Sequence, residues 1–475
     1  MTTQIETERS SEESQGMGAV SVAELADPGW AWAAYEPTAR RPWNLAGAAH
    51  LYRRAGFGAD WAQLRQALAE GPQRTVDKLL RPPIDVAAFD RGYEASEKTA
   101  AGSVEGLRAW WLRRMIETPH PLLEKMTLFW HSYFAVNAGA VNNPRLMQEH
   151  LELLRNHALG SFRSLLQAIS RDPAVLLGLG ADRNRKAAPN DSFARPLLKV
   201  FTVGPRHCTT EDIREAARAC TGQAVLRGQL RHLPQEHDDT VKHLLGRTGN
   251  FTADDVVRIV LEQPATAATV VRRLYRWLVS ETEEPGDSLI APLADSLARD
   301  YDIAKLAETM LRSNLFFSPR SYRQRIKCPI ELAVGIVRAL EGMVSATQLA
   351  QDAAGLGQDL CRPPTVQGWA GGLYWINTAT VVKRHNLAGS LLHRGKPYES
   401  KLDPWAVAEK HGHPTPDAAA RFLFDLFLQG DVAPDARDAL LANAGAPADD
   451  SNGGPAAALR RLAHVVMTLP EYQLA

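Results

Sequence analysis

The chain has 475 residues, 45% of them hydrophobic and 23% charged, and its 54 basic and 54 acidic residues give a formal charge of +0. That length supports a large core or two to three packed subdomains. The balanced charge argues against broad electrostatic binding to nucleic acid or anionic membrane, leaving room only for a local basic patch. Four scattered cysteines (Cys208, Cys220, Cys328, Cys361) form no CxxC pair, which excludes a zinc ribbon or a dithiol redox motif.

The N-terminal segment MTTQIETERSSEESQGMGAVSV is acidic and rich in Ser and Thr, with neither the basic start nor the apolar stretch of a secretory signal. Residues 1–40 are therefore expected as a disordered or loosely attached arm. No apolar run approaches the roughly 18 residues that span a bilayer. The thiols are expected to be reduced and mostly buried, in keeping with a cytoplasmic location.

From residue 41 nearly every long segment reads as helix, and a main helical domain is expected over 41–345. VEGLRAWWLRRMIE (104–117) carries Val104, Leu107, Trp111 and Met115 at helical spacing. Pro119 and Pro121 break the chain before a second helix, PLLEKMTLFWHSYFAV, in which His131 stands among Phe129, Trp130, Tyr133 and Phe134. Helices are predicted at 145–159, at 162–170, and from Phe193 to Val200 after a polar loop. Thr209 or Thr210 caps the helix TTEDIREAARACTG, with Glu211 and Asp212 in its first turn. Residues 223–250 lack helical periodicity and suit a small β-hairpin. Further helices are predicted at 253–262, 264–280, about 290–313 and 329–342. The remainder, 346–475, is expected to combine an irregular aromatic loop (360–380) with C-terminal helices at 415–429 and 455–469, joined by a mobile connection over 443–455. The class is mainly α: a large multi-helix globular unit with a small β-hairpin or irregular insert.

Taken in order, several segments resemble the bacterial family known as domain of unknown function 1800. They include HLYRRAGFG (50–58), EKMTLFWHSYF (124–134), LRNHALGSFRSLL (154–166) and TEDIREAARACTG (210–222). RIKCPIELAVGIVRAL (325–340), LGQDLCRPPTVQGWAGGLYWINTAT (356–380) and LPEYQ (469–473) follow. The resemblance covers residue 43 to the end and implies a mostly helical protein. Many members look exported, which the N-terminus of this chain does not match. The family's central segment usually reads Asn-Glu-Asn-(aromatic)-Ala-Arg-Glu, with another Glu shortly after. Here it is Asn190-Asp191-Ser192-Phe193-Ala194-Arg195-Pro196, and Lys199 stands where the later Glu is expected. Any cation bound through those family acids has lost most of its ligands in this chain.

Each chemical candidate has a functional and a structural reading. His131, His237 and Asp238 are the ligand types for iron, manganese or zinc, as two imidazoles and a carboxylate with open positions. Structurally, His131 is instead hydrogen-bonded in the core, and His237-Asp238 caps a turn before a helix over 239–245. Arg195 and Arg218 hold an anionic substrate, or else pair internally, Arg218 with Asp172 or Glu331. Trp369 and Trp375, in the Gly-rich loop, stack on a flat ring or sugar, or pack the core, and Asn190 is a further substrate-binding candidate. His150 and His157 share a helix face, His157 near the C-terminal end where a cationic ring is favoured. Cys220 is read as inert packing. No P-loop, GxGxxG turn, GxSxG elbow or HExxH occurs.

Two functions of different class follow. The first is an enzyme of specialised bacterial metabolism. His131, Arg195 and Arg218 would be its catalytic residues, and its metal-dependent oxidative or hydrolytic chemistry would act on an anionic small molecule or peptide. The second is a non-catalytic binding or assembly protein, with a protein partner, that keeps the helical body after losing its acids.

Overall fold

A computed structural model describes residues 20–445 and 454–475. The architecture is mainly α, with two small two-stranded antiparallel sheets as its β content among the described residues. The helices that position the site are α1 (Leu45–Ala55), α2 (Val104–Glu117), α3 (Pro121–Tyr133), α4 (Pro144–His157), α5 (Thr210–Ala219), α6 (Pro264–Leu278) and α7 (Pro329–Ala339). Most open as expected from their first residues. Asn44 and Ser103 cap α1 and α2 through their side chains, and Pro leads α3, α4, α6 and α7 where its missing N–H costs nothing. Thr209 and Asp212 form a reciprocal capping box at the start of α5.

Almost every residue of α3 is buried, so it is the central rod of the molecule and not an amphipathic surface helix. Its two adjacent charged residues, Glu124 and Lys125, are both 0% exposed. Glu124 accepts from Arg114 of α2 (2.6 Å), Arg155 of α4 (2.9 Å) and the Trp111 indole (2.9 Å). Lys125 donates to the Arg53 carbonyl of α1 (3.2 Å) and pairs with Glu331 of α7. Glu331 also pairs with Arg325 and accepts the Cys328 N–H at 2.8 Å, closing the first turn of α7. Burial raises the Glu331 pKa, but the two cations outweigh it and hold the carboxyl well below its usual range. α3 is thereby tied to four other helices by charge-assisted bonds in a dry interior.

The region 223–250 forms two hairpins where one was expected. β1 (Gln223–Leu226) pairs with β2 (Gln229–His232), and β3 (Lys242–Leu244) pairs with β4 (Arg247–Gly249). Arg227 and Leu245 take positive φ in the two-residue turns, each followed by a glycine. The helix expected over 290–313 is two, Asp287–Asp300 and Ile303–Arg312. Tyr301 breaks it in a left-handed conformation, held there by its hydroxyl bonding the Leu261 carbonyl at 2.7 Å.

Part of the arm expected over 1–40, residues 1–19, lies outside the described residues, as does most of the mobile connection expected over 443–455. Contrary to expectation, the segment 28–41 is anchored to the body at several points, although most of its residues are exposed. The Trp32 indole donates to the Leu289 carbonyl, the Tyr35 N–H donates to the Arg312 carbonyl, both at 2.7 Å, and Ala31 and Tyr35 are buried. In the sequence, the acidic composition of the first residues outweighs the signal of Trp30, Trp32 and Tyr35. The 346–475 portion begins with a helix, Ala346–Gly355, that packs on α2. No helix among the described residues is long and apolar enough to cross a membrane.

Truncating Glu331 leaves Lys125 and Arg325 buried without their carboxylate. The expected loss for Glu331→Ala is about 3–5 kcal/mol of unfolding free energy, read from urea denaturation midpoints. Arg195→Ala, which breaks an exposed pair, is expected to leave the midpoint unchanged.

Candidate functional site

His131 sits in the last turn of α3, 0% exposed, with the Trp111 ring at 5.3 Å and the Trp369 ring at 5.6 Å. Its Nε2 accepts the Cys361 N–H at 3.0 Å. A neutral imidazole carries one N–H, so an accepting Nε2 puts the proton on Nδ1 and leaves neither nitrogen open to a metal. Burial, then the neighbouring His150, lowers its pKa to about 3, so the ring is neutral at physiological pH. His150 lies with its ring centre 6.5 Å away and its Nδ1 on Asp172 at 2.6 Å. That bond pairs Asp172 with His150, not with Arg218.

His237 and Asp238 belong to a different neighbourhood. The His237 Nδ1 is 3.0 Å from the Thr221 carbonyl, and the Asp238 N–H donates to the Thr221 hydroxyl at 2.8 Å. Asp238 accepts from Arg218 Nε at 2.7 Å, and Arg218 also donates to Glu215 at 2.6 Å. Burial opposes the ionisation of Asp238, but Arg218 and Thr240 hold its carboxyl far below the ordinary range. Among the described residues no group of three or more His, Cys, Asp or Glu side chains is arranged to hold a metal ion. The expected iron, manganese or zinc set of His131, His237 and Asp238 is therefore not assembled, and those residues do not fit a metal.

Other expectations also change. The turn at 237–238 leads into β3, not into a helix over 239–245. Arg218 is spent on Asp238 and Glu215 rather than Asp172 or Glu331. Arg195 is exposed and paired with Asp191, four residues earlier. Asn190 builds a turn, donating its N–H to Asn184 at 2.9 Å and accepting the Ser192 N–H at 3.3 Å. Cys220 is buried, with its thiol pushed up to about 12 by burial, as inert packing requires.

Trp369 and Trp375 do reach a common site, a cleft of about 510 Å³. One wall is the end of α3, with Phe129, Ser132 and Tyr133; another is α6, with Arg272, Arg273, Arg276 and Trp277. The Gly-rich loop forms a third. Gly368 has φ +78°, and a Cβ there would lie 2.1 Å from the Ser132 carbonyl oxygen. Only glycine lets this backbone rest directly on α3, and that contact sets Trp369 over the cleft.

The fourth wall is a widened turn. The regular helix expected from Phe193 to Val200 is a short α-turn, Ala194–Pro196, continued by a π-helical turn, Leu197–Phe201. The Thr202 hydroxyl takes the Leu197 carbonyl at 2.6 Å, and the Gly204 N–H takes the Leu198 carbonyl at 2.9 Å, drawing both away from the α ladder. Lys199 stands in this turn and faces the cleft.

The cleft is basic. Arg276 pairs with Glu284 at 3.1 Å, Arg272 with Asp287, and Arg325 with Glu331. Glu281, also in the wall, accepts the Ile326 N–H at 2.7 Å. Lys199 and Arg273 have no carboxylate partner among the described residues; Arg273 lies over the Tyr133 ring at 4.5 Å. The Trp277 indole N–H is a buried donor without an acceptor. Cys328 in the wall has its thiol pushed up to about 12 by burial, so it is no nucleophile. The arrangement offers unneutralised positive charge beside flat apolar rings, which suits an anion carrying a ring.

Residues 50–474 match the family described as protein of unknown function, DUF1800. The chain belongs to that family. Nothing among curated proteins or solved structures matches it. The match takes in every wall of the DUF1800 cleft, whose basic character sequence reasoning missed. Its signal was VVRRLYRW (270–277), which places Arg272, Arg273, Arg276 and Trp277 within one and a half helical turns.

The buried His131 has a pH signature. Its folded pKa, about 3, lies below the ordinary 6.5, so the unfolded chain binds the extra proton between those values. Its contribution therefore falls as pH drops below about 6.5 and continues to fall until about 3. His131→Asn, which keeps an acceptor for Cys361, is expected to flatten unfolding free energy against pH between 4 and 6 by about 1.4 kcal/mol per unit. Urea titrations across that range measure the slope.

Proposed function

We propose that this DUF1800 protein binds an anionic organic molecule bearing a flat ring, either a small molecule or the end of a peptide, in the basic cleft. The observation that carries the reading is the pair of unneutralised cations, Lys199 and Arg273, beside Trp369, Trp375 and the buried, unpartnered Trp277 indole N–H. The anionic ligand is the one expected from sequence, with its cations moved from Arg195 and Arg218 to Lys199 and Arg273. This is the binding class of function. None of His131, His237 and Asp238 lines the cleft. Lys199, standing where the related sequences carry an acid, favours an anionic ligand over a metal in this member. Four free cysteines, three of them buried, support placing the protein in a reducing cytoplasm.

Phenyl phosphate and phenol share a ring and differ in charge. Titrated against tryptophan fluorescence, phenyl phosphate is expected to bind at least tenfold more tightly. Lys199→Met and Arg273→Met are each expected to weaken it by about tenfold, or about 1.4 kcal/mol, without shifting the thermal midpoint. Added salt should also weaken it. Equal affinity for both probes, or indifference to both substitutions, would falsify the proposal.

A further inference from the structure

A second cavity lies on the other side of the segment that closes the cleft, and it holds charges that the cleft does not use. Ile326 bridges to Leu474 as extended chain, so successive side chains face opposite ways. Ile326 and Cys328 line the cleft, whereas Lys327 lines a small cavity of about 40 Å³ with Arg53, Gln429 and Tyr472. Both cations are more than nine-tenths buried, Arg53 at 8% and Lys327 at 7% exposure.

Among the described residues, neither has a carboxylate within ion-pair reach, although Glu331 and Ala475 also line the cavity. The Arg53 Nη1 donates to Gln429 at 2.6 Å, but its Nε and Nη2 are buried without partners. Those two nitrogens form the side-on edge of the guanidinium, the edge that grips two oxygens of one anion. Lys327 Nζ lies 3.6 Å from the centre of the Tyr472 ring and meets no carboxylate. The nearest acids are engaged. Glu331 serves Lys125, Arg325 and the Cys328 N–H, and Asp431 serves Arg323 at 2.9 Å and the Tyr322 hydroxyl. Burial first, then Arg53 and Arg323, push the Lys327 ammonium well below its usual range, so these cations work against one another more than any acid relieves them.

The geometry points to a binding site here for one small oxyanion (phosphate, sulfate or an acetate-sized carboxylate), held by the Nε–Nη2 edge of Arg53 and by Lys327. The volume admits nothing larger: at about 10–15 Å³ for each water, it holds roughly three waters or one such ion. This site is independent of the cleft and does not rest on the function proposed for it.

The test uses the full chain, dialysed into a buffer free of oxyanions, with thermal midpoints read in millimolar sodium phosphate, sulfate or acetate. Sodium chloride at matched ionic strength is the reference. At least one oxyanion is expected to raise the midpoint by several degrees above chloride, with one equivalent bound by equilibrium dialysis. Phosphate or sulfate alone identifies a tetrahedral anion, and acetate alone a carboxylate. Lys327→Met and Arg53→Lys, which keeps charge but loses the fork, are expected to abolish the increment, while Lys199→Met retains it. In oxyanion-free buffer Lys327→Met is expected to melt no lower than the parent, because it removes a buried charge that has no partner. An increment surviving in both cavity variants is a general salt effect and overturns the site, as does the absence of any increment beyond chloride.

Discussion

The fold hangs on two neighbouring charges in the middle of an otherwise uncharged, buried helix. Glu124 and Lys125 are consecutive on α3 and point about 100° apart, so one reaches α2 and α4 while the other reaches α1 and α7. Neither could be buried alone, since each is offset only by partners on other elements. Apolar packing alone would let helices slide against one another, whereas these directional bonds set their register. The bulk of the stabilisation still comes from the surrounding aromatic and aliphatic core.

That register is what makes the cleft. α3 presents Phe129, Ser132 and Tyr133 at its far end, and the Gly-rich loop can lie on Ser132 only because Gly368 has no side chain. α6 lays three arginines and a tryptophan along the opposite side. Salt bridges neutralise the other arginines, so the positive charge left in the cleft is that of Lys199 and Arg273, offset in part by the Glu281 carboxylate. The formal charge of the chain is zero, and the basic character is local, the one arrangement that balanced composition leaves open.

The helices were legible where local rules act alone. Periodicity, prolines and capping residues place the starts of α2, α3 and α5 to within a residue and their ends to within about three, and the absence of periodicity over 223–250 marks the hairpins. Legibility ended where a distant partner decides the outcome. Tyr301 breaks a periodic segment because its hydroxyl bonds Leu261, forty residues away, and the π turn at 197–201 depends on carbonyls captured by Thr202 and Gly204. The candidate site behaved likewise. Trp369 and Trp375 could be found as unusual aromatics in an irregular loop, but His131 and the 237–238 dipeptide carried no sign of where each would find its partner. His131 illustrates the point: a backbone N–H from residue 361 fixes which nitrogen is protonated, and no spacing within its own helix contains that information.

The extended segment at 326–328 is a party wall. Its residues alternate between the two chambers, and its backbone is pinned by Glu281 at one residue and by the Gln473 carbonyl at the next. A strand fastened in this way cannot slip by one residue, and such a slip would turn Lys327 into the cleft and Ile326 and Cys328 toward the small chamber.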